Sequence, residues 1–207
     1  MKEEKKGTRM KKQWLVFGGI ILLMMVWIVV KRGTENTGAN PTLTIETPQK
    51  ISVSETDTFV LDMSVSAFGE ALYPAASMSI SFDSSCLEFL GVEEGNVFVL
   101  GEANGAGVAR QLPEWLCNPE QCNKTGMINL MYLDLTGGKH AFSKELLAEE
   151  DNIVLRLRFR LRGSARAGDV YDLILEDAVF AASDESKSLA MTTGTLKTKN
   201  SRVVIGE

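Results

Sequence analysis

The chain reads as an all-β, two-sheet sandwich behind a single membrane-spanning helix, and three observations predict this. Apolar and polar residues alternate over several short stretches after position 41. Turn-forming residues divide those stretches at short intervals. Residues 14–30 form an apolar run without a charge. Alternation with a period of two sends successive side chains to opposite faces of a strand, and many short strands divided by turns build two packed sheets.

Residues 1–13 are a basic tail carrying Lys2, Lys5, Lys6, Arg9, Lys11 and Lys12. The run at 14–30, WLVFGGIILLMMVWIVV, follows it. At about 1.5 Å per helical residue the run spans roughly 25 Å, enough to cross a bilayer core. Lys31 and Arg32 close it, and Trp14 and Trp27 lie near its ends, where indole rings favour the membrane interface. A secretory signal has an apolar region of about 7–15 residues followed by a small-x-small site. This run is longer and no such site follows, so it reads as an uncleaved single-pass anchor. The excess of basic residues before it places the tail in the cytoplasm and the rest outside the cell membrane. Residues 31–40 form a polar linker, whose last eight residues reach roughly 25–29 Å when extended.

From residue 41 to 207 the pattern is β. Leu43 and Ile45 alternate with threonines; Phe59, Leu61, Met63 and Val65 with polar residues and Val60; Met78, Ile80 and Phe82 with Ser77, Ser79 and Ser81. Leu155, Leu157, Phe159 and Leu161 alternate with Arg156, Arg158, Arg160 and Arg162, giving one apolar and one basic face. Further strands are expected at 86–92, 127–135, 171–175, 178–182 and 202–205, and a short helix capped by Ser143 at 143–149. Residues 101–125 break the rhythm with Pro113, Trp115, Cys117, Pro119 and Cys122. They read as a long insertion with at most one irregular strand.

The first 32 residues hold eight basic and two acidic side chains; the whole chain is −5, so the remainder carries −11. An acidic outer domain argues against nucleic acid as a partner. Of three cysteines, Cys117 and Cys122 flank a polar turn and are expected to form a local disulfide outside the membrane. Cys86, in an apolar stretch, is expected to be a buried thiol. A zinc site needs about four ligands and finds too few. No EF-hand pattern, nucleophile elbow or phosphate-binding glycine loop occurs, and His140 reads as an ordinary polar loop histidine. No cofactor and no enzymatic activity are expected.

At 127–135, Ile128, Leu130 and Tyr132 pointing inward would leave Met127, Asn129, Met131 and Leu133 outside. Two readings stand side by side: an exposed contact face, or a patch covered by the insertion or the short helix.

Residues 79–92 (SISFDSSCLEFLGV), 127–137 (MINLMYLDLTG), 152–162 (NIVLRLRFRLR) and 165–184 (ARAGDVYDLILEDAVFAASD) together resemble the cohesin family. The likeness extends over nearly all of 41–207. It implies a nine-stranded jelly-roll sandwich that binds dockerin modules through one sheet face built from its third, fifth, sixth and eighth strands. Carried over by position, that face comprises Ser77, Ser79, Ser81, Asn129, Met131, Leu133, Ile174 and Glu176. The chain departs from the pattern twice: the insertion falls where the fifth strand belongs, and the turn Asp83-Ser84-Ser85 lacks the usual proline. The expected function is thus a membrane-anchored module for a dockerin-type or other membrane-proximal protein partner. A carbohydrate-binding sandwich using Trp115, Tyr73 and Tyr132 and an envelope structural subunit are the alternatives.

Overall fold

The computed structural model describes residues 41–47, 50–52, 58–101, 110–149, 151–184 and 196–206. The expected tail, anchor and linker lie outside these residues. Among the described residues no helix is long and apolar enough to cross a membrane.

The expected two-sheet sandwich is present. Its strands are β1 (Thr42–Ile45), β2 (Ile51–Ser52), β3 (Thr58–Val65), β4 (Ala75–Ser81), β5 (Leu87–Glu94), β6 (Val99–Leu100), β7 (Arg110–Gln111), β8 (Met127–Leu133), β9 (Ile153–Leu161), β10 (Val170–Ala181), β11 (Lys197–Lys199) and β12 (Ser201–Gly206), with a helix α1 (Pro119–Thr125) before β8. One sheet runs β11-β1-β3-β9-β5, the other β2-β12-β10-β4-β8, and β6 and β7 form a separate pair. Ten strands therefore enter the two sheets among the described residues, where the family pattern implied nine; β2 and β11 are very short.

The inward sets of the sequence pattern form the core. Leu61, Met63, Leu155, Leu157 and Phe159 from one sheet meet Met78, Ile80, Ile128, Leu130, Leu173, Leu175 and Phe180 from the other, all buried. Phe159 sits among Phe59, Phe82 and Phe89 at ring separations of 5.5–5.7 Å. Phe142 gathers Phe68, Tyr132 and Phe180 at 4.9–5.7 Å. Rings at such spacings add to burial through edge and tilted contacts. The chain leaves β5 through Gly95, where a Cβ would stand 2.0 Å from the Ile153 carbonyl oxygen, so only glycine admits this close approach.

Four expectations are corrected. The strands expected at 171–175 and 178–182 are one strand, β10. Glu176 is an extra residue there: the pairing with β4 shifts between Leu175 and Asp177, and this bulge resets the alternation. The helix expected at 143–149 is a single 3-10 turn, Lys144–Leu146, capped by Ser143 as anticipated. The insertion carries more order than one irregular strand. It holds β7, an isolated bridge from Leu116 to Met131, and α1. Cys86 is half-buried rather than buried, because β5 turns Leu87 and Phe89 into the core and alternation leaves Cys86 and Glu88 on the other side.

Helix α1 is set by its ends. Asn118 caps it, its side chain accepting the Gln121 N–H at 3.1 Å, and Pro119 takes the first helical position. Gly126 closes it at φ 67°, where glycine alone is unstrained. The helix covers the free edge of β5. The Asn123 amide accepts the Phe89 N–H at 2.9 Å and donates to the Phe89 carbonyl at 2.8 Å, doing with one side chain what a neighbouring strand would do. All three cysteines are free thiols in this structure, so the bridge expected between Cys117 and Cys122 is not formed in it. The turn expected between them is instead the capped start of α1, with Cys122 buried on the helix and Cys117 just outside the cap.

Candidate binding face

The two sheets present different outer faces. On the β3-β9-β5 sheet the outward residues of β9 are arginines, and each meets a carboxylate from a flanking strand. Arg156 Nε lies 3.0 Å from Asp62 of β3, and Arg158 Nη1 lies 3.4 Å from Glu93 of β5. Arg160 donates through Nε and Nη2 to Glu88 Oε2 at 3.1 and 2.7 Å. The register makes this possible, because Asp62 is paired with Arg156 and Glu88 with Arg160.

On the other sheet, β4 lies between β8 and β10. Ser77 stands beside Met131, Ser79 beside Asn129, and Ala75 beside Leu133. Across β4, Ile174 stands beside Ser81 and Val179 beside Ser77. All eight residues singled out from the sequence therefore share this outer face. Ser79 donates to Asn129 Oδ1 at 2.9 Å and Ser81 to Glu176 Oε1 at 2.7 Å. Those bonds tie the three strands together across their small residues. The bulge at Glu176 turns both it and Asp177 outward, giving the β10 side an acidic margin.

The apolar part lies on the β8 side. Met131 is 48% exposed and Leu133 50%, and Ile174 on β10 is 39% exposed. The patch is exposed, and the described part of the insertion, residues 110–125, meets the edge of β8 through Leu116. Leu116 pairs with Met131 in both directions, N–H to carbonyl at 2.7 and 3.1 Å, and is itself 57% exposed. This bridge occupies the position where the family pattern expects a fifth strand. Leu135, 85% exposed, follows β8. Its turn is held by the Asp134 carboxylate, which accepts from the N–H groups of Thr136, Gly138 and His140 and from the Thr136 hydroxyl. Burial pushes Asp134 up, but those hydrogen bonds outweigh it and hold the carboxyl below its ordinary range.

Leu116 and Leu135 are the residues that sequence reasoning missed. Leu116 had a signal, an apolar residue directly after Trp115 and before the polar stretch Asn118–Gln121. The aromatic platform required for sugar binding is not formed by the residues expected to form it. Tyr73 and Tyr132 are buried, and Trp115 is half-buried against Tyr132 and Phe142 at 5.9 and 6.0 Å. Burial and the charges of Asp134 and Glu114 push the Tyr132 hydroxyl up to about 12, and it donates to the His140 carbonyl. His140 lies in this loop, and its buried Nε2 has no hydrogen-bond partner among the described residues. Among the described residues no cluster of three or more His, Cys, Asp or Glu side chains is placed to hold a metal.

Comparison with solved structures agrees with this architecture. The sixth cohesin of scaffoldin B from Acetivibrio cellulolyticus, solved in complex with a Cel5 dockerin mutant, superposes with a TM-score of 0.56 at 17% identity, over 81% of this chain and 99% of that one. The fold is cohesin-like. A type I cohesin–dockerin complex from Clostridium thermocellum matches at a TM-score of 0.53 and 14% identity, over 80% of this chain and 99% of the other. A non-cellulosomal cohesin from the archaeon Archaeoglobus fulgidus matches at 0.51 and 11%, over 82% and 93%. No family model matches the sequence, and no curated protein matches it.

Proposed function

We propose that residues 41–207 form a non-catalytic protein-binding module whose partner, a dockerin-type or other envelope protein, docks on the outer face of β4, β8 and β10. The observation that carries this reading is the contrast between the two outer faces. Exposed apolar side chains line β8 and its edge at Leu116, Met131, Leu133 and Leu135, with Ile174 across β4 on β10, while Val60 alone among the exposed large apolar residues described lies on the arginine-bearing sheet. Contiguous exposed apolar surface beside small residues marks contact sites. The serine row between the two apolar flanks lets a partner backbone approach closely. Residues 14–30 hold the module at the outer side of the cell membrane, so the partner is membrane-proximal. This last element rests on the apolar run and the basic residues before it.

The test is photocrosslinking in intact cells that express the full-length chain. A photoreactive side chain replaces Met131 in one variant and Val60 in another. Protein adducts at position 131 and none at 60 support the reading. Adducts at neither position, or equally at both, refute it. Protease added to spheroplasts should remove the domain; a fully protected domain would overturn the topology.

A further inference from the structure

Cys117 and Cys122 occupy two special positions of α1. Asn118 is the cap, so Cys117 is the residue before it and Cys122 is the fourth residue of the helix. Side chains at those positions meet across a helix start, where an apolar pair ordinarily fixes the angle at which the chain enters. Here both are thiols. Cys122 is 3% exposed, and Cys117 is half-buried against the same core. They are near enough that Cys122 raises the Cys117 thiol electrostatically, after the larger effect of burial, while the Val92 N–H opposes both. The residue immediately before them, Leu116, makes the two-way bridge to Met131 at the edge of β8.

We propose that Cys117 and Cys122 are a modification site, joined by a disulfide-class oxidant into a bond that staples the start of α1 and clamps Leu116 onto β8. Cys117, the more exposed of the two, attacks one sulfur of the oxidant as its thiolate, and the oxidant's S–S bond breaks to release one thiol. Cys122 then attacks the mixed disulfide and displaces the second thiol. The chain loses two hydrogens, and the oxidant takes up the two electrons and two protons. Only the thiolate attacks, so with burial holding the Cys117 thiol above its ordinary range, bridging is slowed at neutral pH and quickens as pH rises. The closed loop is short, so the bond adds little to global stability. Its effect is local, on the Leu116–Met131 pairing. The bearing on partner binding rests on the proposed face; the bond and the clamp do not.

The experiment therefore reads no partner. The full-length chain is incubated with oxidised glutathione or with a phosphine reductant, then examined by non-reducing peptide mapping and amide hydrogen exchange. The expected result is a Cys117–Cys122 linkage in the oxidised sample. The Leu116 and Met131 amides should exchange about tenfold more slowly than in the reduced sample, because local opening at the bridge is suppressed. Cys117→Ser should abolish both effects and Cys86→Ser neither. Absence of the linkage, a linkage that involves Cys86, or a linkage with unchanged exchange at Leu116 and Met131 would each overturn the proposal.

Discussion

The outer faces of the two sheets begin from the same alternation and end in opposite states. On β9 the outward Arg156, Arg158 and Arg160 each find a carboxylate on β3 or β5. That face is long, charged and internally paired. On β8 every second residue is Met127, Asn129, Met131 or Leu133, and the neighbouring β4 offers serines. Ser79 bonds the Asn129 amide and Ser81 the Glu176 carboxylate there, and the large apolar side chains stay exposed to water. A paired charged face is content in water; an apolar face beside small residues gains from a partner. Strand alternation alone does not mark a contact surface. The chemistry of the outward set, and what the adjoining strands place beside it, does.

The largest effect should come from putting charge on the apolar face. Met131→Glu and Leu133→Lys each disturb a half-exposed side chain, so melting temperature should stay near that of the parent. Binding to the partner captured at position 131 should fall by about 2 kcal/mol or more, as for a central interface anchor. Titration calorimetry on each variant checks this. Unchanged affinity would erase the distinction between the faces.

The next prediction concerns the free edge of the charged sheet. Asn123→Ala leaves the Phe89 N–H and carbonyl without their amide partner. Leaving partly buried backbone groups unsatisfied should cost about 1–2 kcal/mol in urea unfolding. The β4-β8-β10 face should keep its affinity, because Asn123 does not reach it. Loss of binding with little loss of stability would show that α1 serves the apolar face instead.

How much of this was legible follows from the same physics. The strand at 153–161 was readable because both of its faces carry a pattern. The strand at 170–181 was split in two because the extra residue at Glu176 breaks the period that alternation relies on. Helix α1 was missed because it is seven residues long and buries only Cys122, so it has no apolar stripe. Its signals are Asn118, Pro119 and Gly126, which also read as a turn. That the eight residues share one outer face follows from local alternation or from the family pattern. Whether that side was open was not legible. It depends on where residues 101–125 go, and a non-local packing choice leaves no periodic trace. The misjudged Cys86 is different: its neighbours Leu87 and Phe89 already implied that it faces away from the core.

A smaller effect is expected on acidification. Asp134 lies lower in the folded chain than in the unfolded one, so its contribution is fully present above about pH 4 and fades as pH falls through the folded value. The turn carrying Leu135 should loosen below that point while the arginine face stays largely paired until its own carboxylates protonate. Amide exchange at Thr136, Gly138 and His140 across a pH series, corrected for intrinsic rates, should show lost protection at those three positions first. Protection that persists to the global acid transition would show that packing, rather than the carboxylate, holds the turn.

The smallest effect should come from the charged face itself. Arg160 makes the best pair of the ladder, with two donors on Glu88 Oε2, yet its side chain is 48% exposed. Exposed ion pairs gain little because water screens them and two long side chains must be held still. Arg160→Ala should therefore cost about 0.5 kcal/mol of stability at low salt, and less at about 1 M salt, where the screening length is near 3 Å. Partner affinity should not change. Urea unfolding at two ionic strengths, with calorimetry on the same variant, measures both. A loss near that of Asn123→Ala, insensitive to salt, would mean that the arginine stems pack as structure. A loss of binding would mean that the paired face is the contact surface, and the contrast drawn between the two sheets would be reversed.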